Sequence, residues 1–166
     1  FSIYSISIKA FNTAYCFFDE FICDDSRWHL YYKGEGPKPT IEDYPNDWLI
    51  ILIDALEKAQ KDPEVKNFIL DISTNNGGSS DIVLFVTSMF ANKSDMYSEN
   101  TLTGQKTKST YEVDRNLDGK FDEKDKDFKL DFNIGVLISP VSFSCGNMLR
   151  ALLKDYGICL LGMKSG

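Results

Sequence analysis

The chain has 166 residues, 43% hydrophobic and 26% charged, with a formal net charge of −7. This is globular composition rather than disorder, the length fits a single domain over residues 1–166 with a substantial core, and the acidity excludes nucleic acid as the main partner, because phosphate recognition wants a basic face. No apolar run reaches the ~18 residues that a membrane-spanning helix needs.

Residues 2–9, "SIYSISIK", alternate apolar and polar and predict a half-buried strand. The chain opens in that pattern without a basic leader and stops at "GMKSG", so it reads as a piece of a longer protein. Residues 24–45 are polar and aromatic with prolines and glycines, which predicts a surface insertion. Asn46 or Asp47 can cap a helix over "DWLIILIDALEKAQK", where Trp48, Leu52, Ala55, Leu56 and Ala59 share a face. "FILDIS" (68–73) is a short apolar strand of the kind found in a parallel sheet. The helix after it, 81–91, is apolar nearly all round and is expected to be deeply buried.

Residues 92–132 form a second, charged insertion, with strands expected around "TLTG" and "STYEV". "IGVLIS" (134–139) is another buried strand, and the helix over 148–157 puts Met148, Leu149, Leu152, Leu153 and Tyr156 on one stripe before Gly157. "ICLLG" (158–162) returns as a strand, with Cys159 expected as a small core residue. Cys16, Cys23, Cys145 and Cys159 match no zinc spacing, and pairing of Cys16 with Cys23 is left open. The order of elements implies an α/β fold with a mainly parallel sheet and flanking helices.

Ligands of such a sheet sit at the carboxyl ends of its strands. Two stretches there carry chemistry. "TNNGGSS" places Gly77 and Gly78 in a turn whose N–H groups can face a ligand, or which only needs positive φ. "VSFSCGN" (141–147) places Ser144 at a helix start, where free N–H groups favour developing negative charge. There the Cys145 N–H can serve as a second donor, and Gly146 would let a peptide approach. The plainer reading makes Ser142 or Ser144 an ordinary N-cap. Cys145 as nucleophile would need a base that is not local.

Taken together, "VKNFILDISTNNGGSSDIVLFVTSMF" and "IGVLISPVSFSCGNMLRALLKDYGICLLGMKSG" resemble the core of the C-terminal processing and tricorn-type serine peptidases, within the ClpP/crotonase superfamily. The opening strand followed by Phe11 resembles that family's first core strand. The resemblance implies a ClpP/crotonase-like core, polypeptide substrates, an extracytoplasmic location and Ser144 as nucleophile. It also implies an oxyanion hole from the N–H groups of Cys145 and of Gly77 or Gly78, so the two turns should converge. Asn147 stands where the family often has an acidic residue. A family base would be a Lys beyond the returning strand, for which Lys164 sits too close to the strand end, or a His before the core; the only His is His29. A non-catalytic peptide-binding or scaffold protein and a crotonase-type acyl-CoA enzyme remain the alternatives, and oligomeric state is unspecified.

"DRNLDGKFDEKD" (114–125) carries a different pattern. Asp114, Asn116, Asp118, Gly119 and Asp122 fall at positions 1, 3, 5, 6 and 9 of a calcium loop, Lys120 offers its carbonyl, and Asp125 closes it. The expectation is structural Ca²⁺ in an isolated loop of the dockerin type. The plainer reading is a solvated charged turn, since residues 112–131 hold eight acidic and five basic side chains.

Overall fold

A computed structural model describes residues 12–163; the predicted strand at 2–9, Phe11 and Lys164 lie outside them. In chain order the elements are β1 (Thr13–Phe17), α1 (Asp25–Tyr32), α2 (Trp48–Lys61), β2 (Asn67–Asp71), α3 (Ser80–Ala91), β3 (Asp95–Glu99), β4 (Lys106–Thr110), α4 (Glu123–Asp127), β5 (Asn133–Ile138), α5 (Cys145–Asp155) and β6 (Cys159–Gly162). The main sheet runs β1-β2-β5-β6. All three pairings are parallel, so each connection must cross over outside the sheet.

Asp47 starts α2, its side chain accepting the Ile50 N–H at 3.0 Å. Ser79 starts α3 in the same way, accepting from Asp81 at 3.2 Å. These caps satisfy backbone donors that a helix start leaves over. Helix α3 is buried along Ile82, Val83, Leu84, Val86, Thr87, Ser88, Met89 and Phe90, as its apolar circumference predicts, and it packs on α5. One face of the sheet, with Cys16, Phe68, Leu70 and Val136, is fully buried beneath the helices. The opposite face, with Tyr15, Ile69 and Leu137, is half-buried.

Register places the functional edge. Phe17 pairs with Asp71, and Asp71 with Leu137, so β1, β2 and β5 end level with one another. The turn after Asp71 and the loop after Ile138 therefore leave the same edge of the sheet, side by side.

Three expectations need correcting. Residues 24–45 are not only a surface excursion: they contain α1, whose Trp28 is buried and whose Asp24 caps it by accepting from Ser26 at 3.1 Å. Its apolar contacts are aromatic rings among polar residues, which hide the helical period. Thr101–Gly104 is the turn of the β3–β4 hairpin rather than a strand, with Asn100 Oδ1 accepting from Leu102 and Thr103. Cys159 is exposed, because β6 is the last strand of the sheet. All four cysteines are free.

Candidate active site

Ser144 immediately precedes α5 and has φ 49° and ψ −117°, a positive φ that a residue with a Cβ rarely adopts. Its side chain makes no capping hydrogen bond, and the residue is exposed. The Ser142 hydroxyl does not cap either: it is buried without a hydrogen-bond partner among the described residues. The capping explanation for these serines therefore loses its defining bond.

The double-glycine turn lies against this serine. A Cβ placed on Gly77 would come 2.7 Å from Ser144 Cβ, 3.1 Å from its Oγ and 3.2 Å from the Cys145 nitrogen. Only a glycine permits that approach, and Gly77 also has φ +101°. The structure thus brings Gly77, Ser144 and Cys145 together. It separates the roles of the two glycines: the Gly77 N–H donates to Asn75 Oδ1 at 2.8 Å, whereas no hydrogen bond engages the Gly78 N–H among the described residues. Gly78 instead lets the chain pass Phe21, whose carbonyl oxygen would sit 2.2 Å from a Cβ there.

Cys145 is buried, and its thiol donates to the Gly78 carbonyl at 3.0 Å, which ties the helix start to the turn rather than presenting sulfur to a substrate. Gly146 is buried too. A Cβ on it would meet Ser142 Oγ at 2.4 Å and Asn75 Oδ1 at 3.2 Å, so its smallness serves the loop behind Ser144 and not an approaching peptide. Asn147, in the first turn of α5, has its Oδ1 buried without a partner among the described residues. Val141 and Phe143, on either side of Ser142 in the loop leading to Ser144, are 67% and 69% exposed and give it an apolar rim. His29 is exposed on α1, and no hydrogen bond joins it, or any other titratable side chain among the described residues, to Ser144.

The acidic loop lies between β4 and β5 and is docked on α1: Tyr31 donates to the Leu117 carbonyl at 2.9 Å, and the Tyr32 and Phe121 rings stack at 5.2 Å. Leu117 and Gly119 have positive φ, 56° and 84°. Asp114 accepts the N–H of Gly119 at 2.8 Å and of Asp118 at 3.2 Å. Asp118 accepts from Lys120, and Asp125 from Arg115, Asn116 and Asp122. Asp122 and Asp125 also form a capping box at the start of α4. Burial, with Asp125 nearby, pushes the Asp114 carboxyl above its ordinary value despite these N–H groups. The hard oxygen donors and the wrapped backbone suit calcium in kind. The carboxylates are nevertheless turned onto backbone N–H groups, and among the described residues no three acidic, His or Cys side chains converge as metal ligands do.

The family model for peptidase family S41 matches residues 46–166, nearly three-quarters of the sequence and both candidate turns. The chain belongs to peptidase family S41. That membership supports a peptidase function. Among solved structures, a candidate peptidase of Parabacteroides merdae ATCC 43184 superimposes with a TM-score of 0.58 at 12% identity, covering 94% of this chain and 41% of its own. It shows the same parallel α/β fold. A candidate S41 protease of Bacteroides fragilis NCTC 9343 gives a TM-score of 0.46 at 16% identity, over 90% of this chain and 34% of that one. This chain therefore spans well under half the length of both. No curated protein matches it. Among the described residues, no helix of this S41 member is long and apolar enough to cross a membrane.

Two participants in the site were not among the expected residues. The segment Phe18–Phe21 runs beside the double-glycine turn, Phe21 donating to the Gly77 carbonyl at 2.8 Å and accepting from Ser79 at 2.7 Å. Asn75 is fully buried between that segment and the Ser144 loop. The spacing Asn75-Asn76-Gly77 carries a legible signal, since an Asn side chain readily accepts the N–H two residues on.

Proposed function

We propose that this chain carries the nucleophile and oxyanion hole of a serine endopeptidase. The observation that carries the reading is Ser144: exposed, without a capping bond, and held at positive φ where a strand turns into a helix. A serine forced onto such a turn projects its hydroxyl from the sheet edge, as nucleophile turns do, and backbone strain of this sort persists where the surroundings over-determine it. Ser144 Oγ attacks the peptide carbonyl carbon as its proton passes to a base. The carbonyl oxygen becomes an oxyanion held by the N–H groups of Cys145 and Gly78. The amine leaves with the proton, and water then releases the acyl group from Ser144. The base is His29 or a group outside the described residues; no titratable group among the described residues is hydrogen-bonded to Ser144.

The same missing base favours one second reading, a non-catalytic family member that binds peptides at this edge. A fluorophosphonate probe separates the two, because it reacts with an activated serine and not with a merely exposed one. Labelling of the full chain that disappears in Ser144→Ala supports the peptidase. No labelling, with peptide binding retained, leaves the binding protein. A crotonase-type acyl-CoA enzyme would use the same oxyanion hole without needing a strained serine, and it too would stay unlabelled. The exposed rim of Val141 and Phe143 favours apolar residues next to the scissile bond. Phe143→Ser is accordingly expected to raise KM for such peptides several-fold with kcat little changed, the signature of binding shared by ground and transition states. An unchanged KM removes the rim from the reading.

We also propose that residues 114–125 bind one structural Ca²⁺ through Asp114, Asn116, Asp118, the Lys120 carbonyl, Asp122 and Asp125. Support comes from the spacing and from the positive φ of Leu117 and Gly119. Asp118 and Asp122 each accept a backbone N–H, of Lys120 and of Lys124, with one of their two carboxylate oxygens. Calorimetry with Ca²⁺ should show one site that is lost in Asp118→Ala, and chelator should lower Tm more than it lowers turnover. No binding heat and an unchanged Tm would leave Asp122 and Asp125 as a helix cap only.

A further inference from the structure

Asn75 has 0% exposure, yet all four of its hydrogen-bonding groups are engaged. Its N–H donates to the Ile72 carbonyl at 3.1 Å, and its own carbonyl accepts the Phe143 N–H at 2.9 Å. Its Oδ1 accepts the Gly77 N–H at 2.8 Å, and its Nδ2 donates to the Phe18 carbonyl at 2.8 Å. One residue thereby joins the turn after β2, the segment leaving β1 and the loop that ends at Ser144.

The consequence concerns a group that Asn75 does not touch. The Gly77 carbonyl is committed to the Phe21 N–H at 2.8 Å. Across a trans peptide, the Gly78 N–H points the opposite way, away from Phe21. With the N–H of Gly77 held by Asn75 and its carbonyl held by Phe21, the peptide plane that carries the Gly78 N–H is pinned on both sides. Without Asn75, the Gly77 N–H would be a buried donor seeking an acceptor, and the turn would be free to rotate toward one. Oxyanion stabilisation depends on donors fixed before charge develops.

We propose that Asn75 is a positioning residue for acyl transfer at Ser144: it withdraws the Gly77 N–H from the site and fixes the Gly78 N–H as the donor that works with Cys145. This rests on the peptidase reading above. Two variants of the full chain test it. Asn75→Asp keeps an oxygen acceptor for the Gly77 N–H and loses the bond to Phe18. Asn75→Leu keeps the volume and loses both. The Asp variant buries a carboxylate as well, so it should be no more stable than the Leu variant. A residue that only supports the fold makes activity follow stability and gives Asp no advantage.

Positioning predicts the reverse order. On folded protein, well below each Tm, Asn75→Leu should lower kcat about 10²-fold, comparable to losing one oxyanion donor, while Asn75→Asp stays within about 10-fold of wild type. KM should move little in either. Affinity for a peptide boronate, whose serine adduct places an oxygen in the hole, should fall in parallel with kcat. Amide exchange gives a readout without turnover: the Gly77 N–H should exchange more slowly than the Gly78 N–H in wild type, and the difference should vanish in Asn75→Leu. Equal kcat losses in the two variants, losses that follow Tm, or equal exchange of the two glycines overturn the proposal and leave the Ser144 reading standing. A wild-type protein that no fluorophosphonate labels overturns the peptidase reading itself, and the positioning role with it.

Discussion

Ser144→Ala is expected to leave the fold unchanged and to lower kcat by roughly 10⁴-fold or more, as loss of a nucleophile does. The two halves of that expectation come from different observations. The hydroxyl makes no side-chain capping bond, so removing it breaks nothing in the helix start. Alanine keeps the Cβ that already rests against Gly77, so packing at the close approach is retained. Stability should therefore stay within about 0.5 kcal/mol of wild type. An ordinary N-cap predicts the opposite pair: a loss of about 1 kcal/mol on removing the cap, with no effect on turnover. Denaturation midpoints measured beside peptide turnover distinguish the two. An alanine variant with full turnover would return Ser144 to the role of a helix start.

The fold was largely legible because its signals are local. Asp47 before an apolar run is a capping pattern and caps as read, whereas the Ser79 cap of α3 was not among the expectations. The short apolar strands over "FILDIS" and "IGVLIS" belong to parallel pairs, as continuous apolar runs suggest. Helix α1 was missed because it depends on contacts distant in sequence. It is held by Tyr31 and Tyr32 against Leu117 and Phe121, residues nearly ninety positions away, and a polar stretch with three rings gives no helical period to read. The candidate site was legible in the same uneven way. Ser144 and the glycine pair stand out by residue type. Which glycine keeps a free N–H does not, because that is decided by where the Asn75 side chain turns. Gly146 reads as room for a peptide but is buried against the neighbouring loop, and the Cys145 thiol is likewise turned onto the Gly78 carbonyl, which leaves only the Cys145 N–H for the site.

Gly77→Ala and Gly78→Ala, adjacent and alike in sequence, are expected to fail in different ways. At Gly78 the added Cβ would lie 2.2 Å from the Phe21 carbonyl oxygen and 2.7 Å from its carbon. Those are backbone atoms of a fully buried residue that also bonds Gly77 and Ser79, so they cannot yield without releasing the segment between β1 and α1. With the strain of a side chain at φ +135° added, the loss should reach about 3–5 kcal/mol, among the larger effects of single substitutions. At Gly77 the obstacle is Ser144 itself, with its Cβ 2.7 Å away and its Oγ 3.1 Å away. The chain can relieve that contact by moving the strained serine, which costs about 1–3 kcal/mol, the range of one strained backbone site. Moving it displaces the attacking oxygen and puts a methyl group beside the Cys145 N–H, so kcat should fall at least 10²-fold, the order of a lost oxyanion donor. Thermal melts and turnover on the two purified variants separate these outcomes. A Gly77→Ala protein with wild-type kcat would mean that the turn does not adjoin the reacting atoms, and a Gly78→Ala protein with wild-type Tm would mean that Phe21 does not close over it.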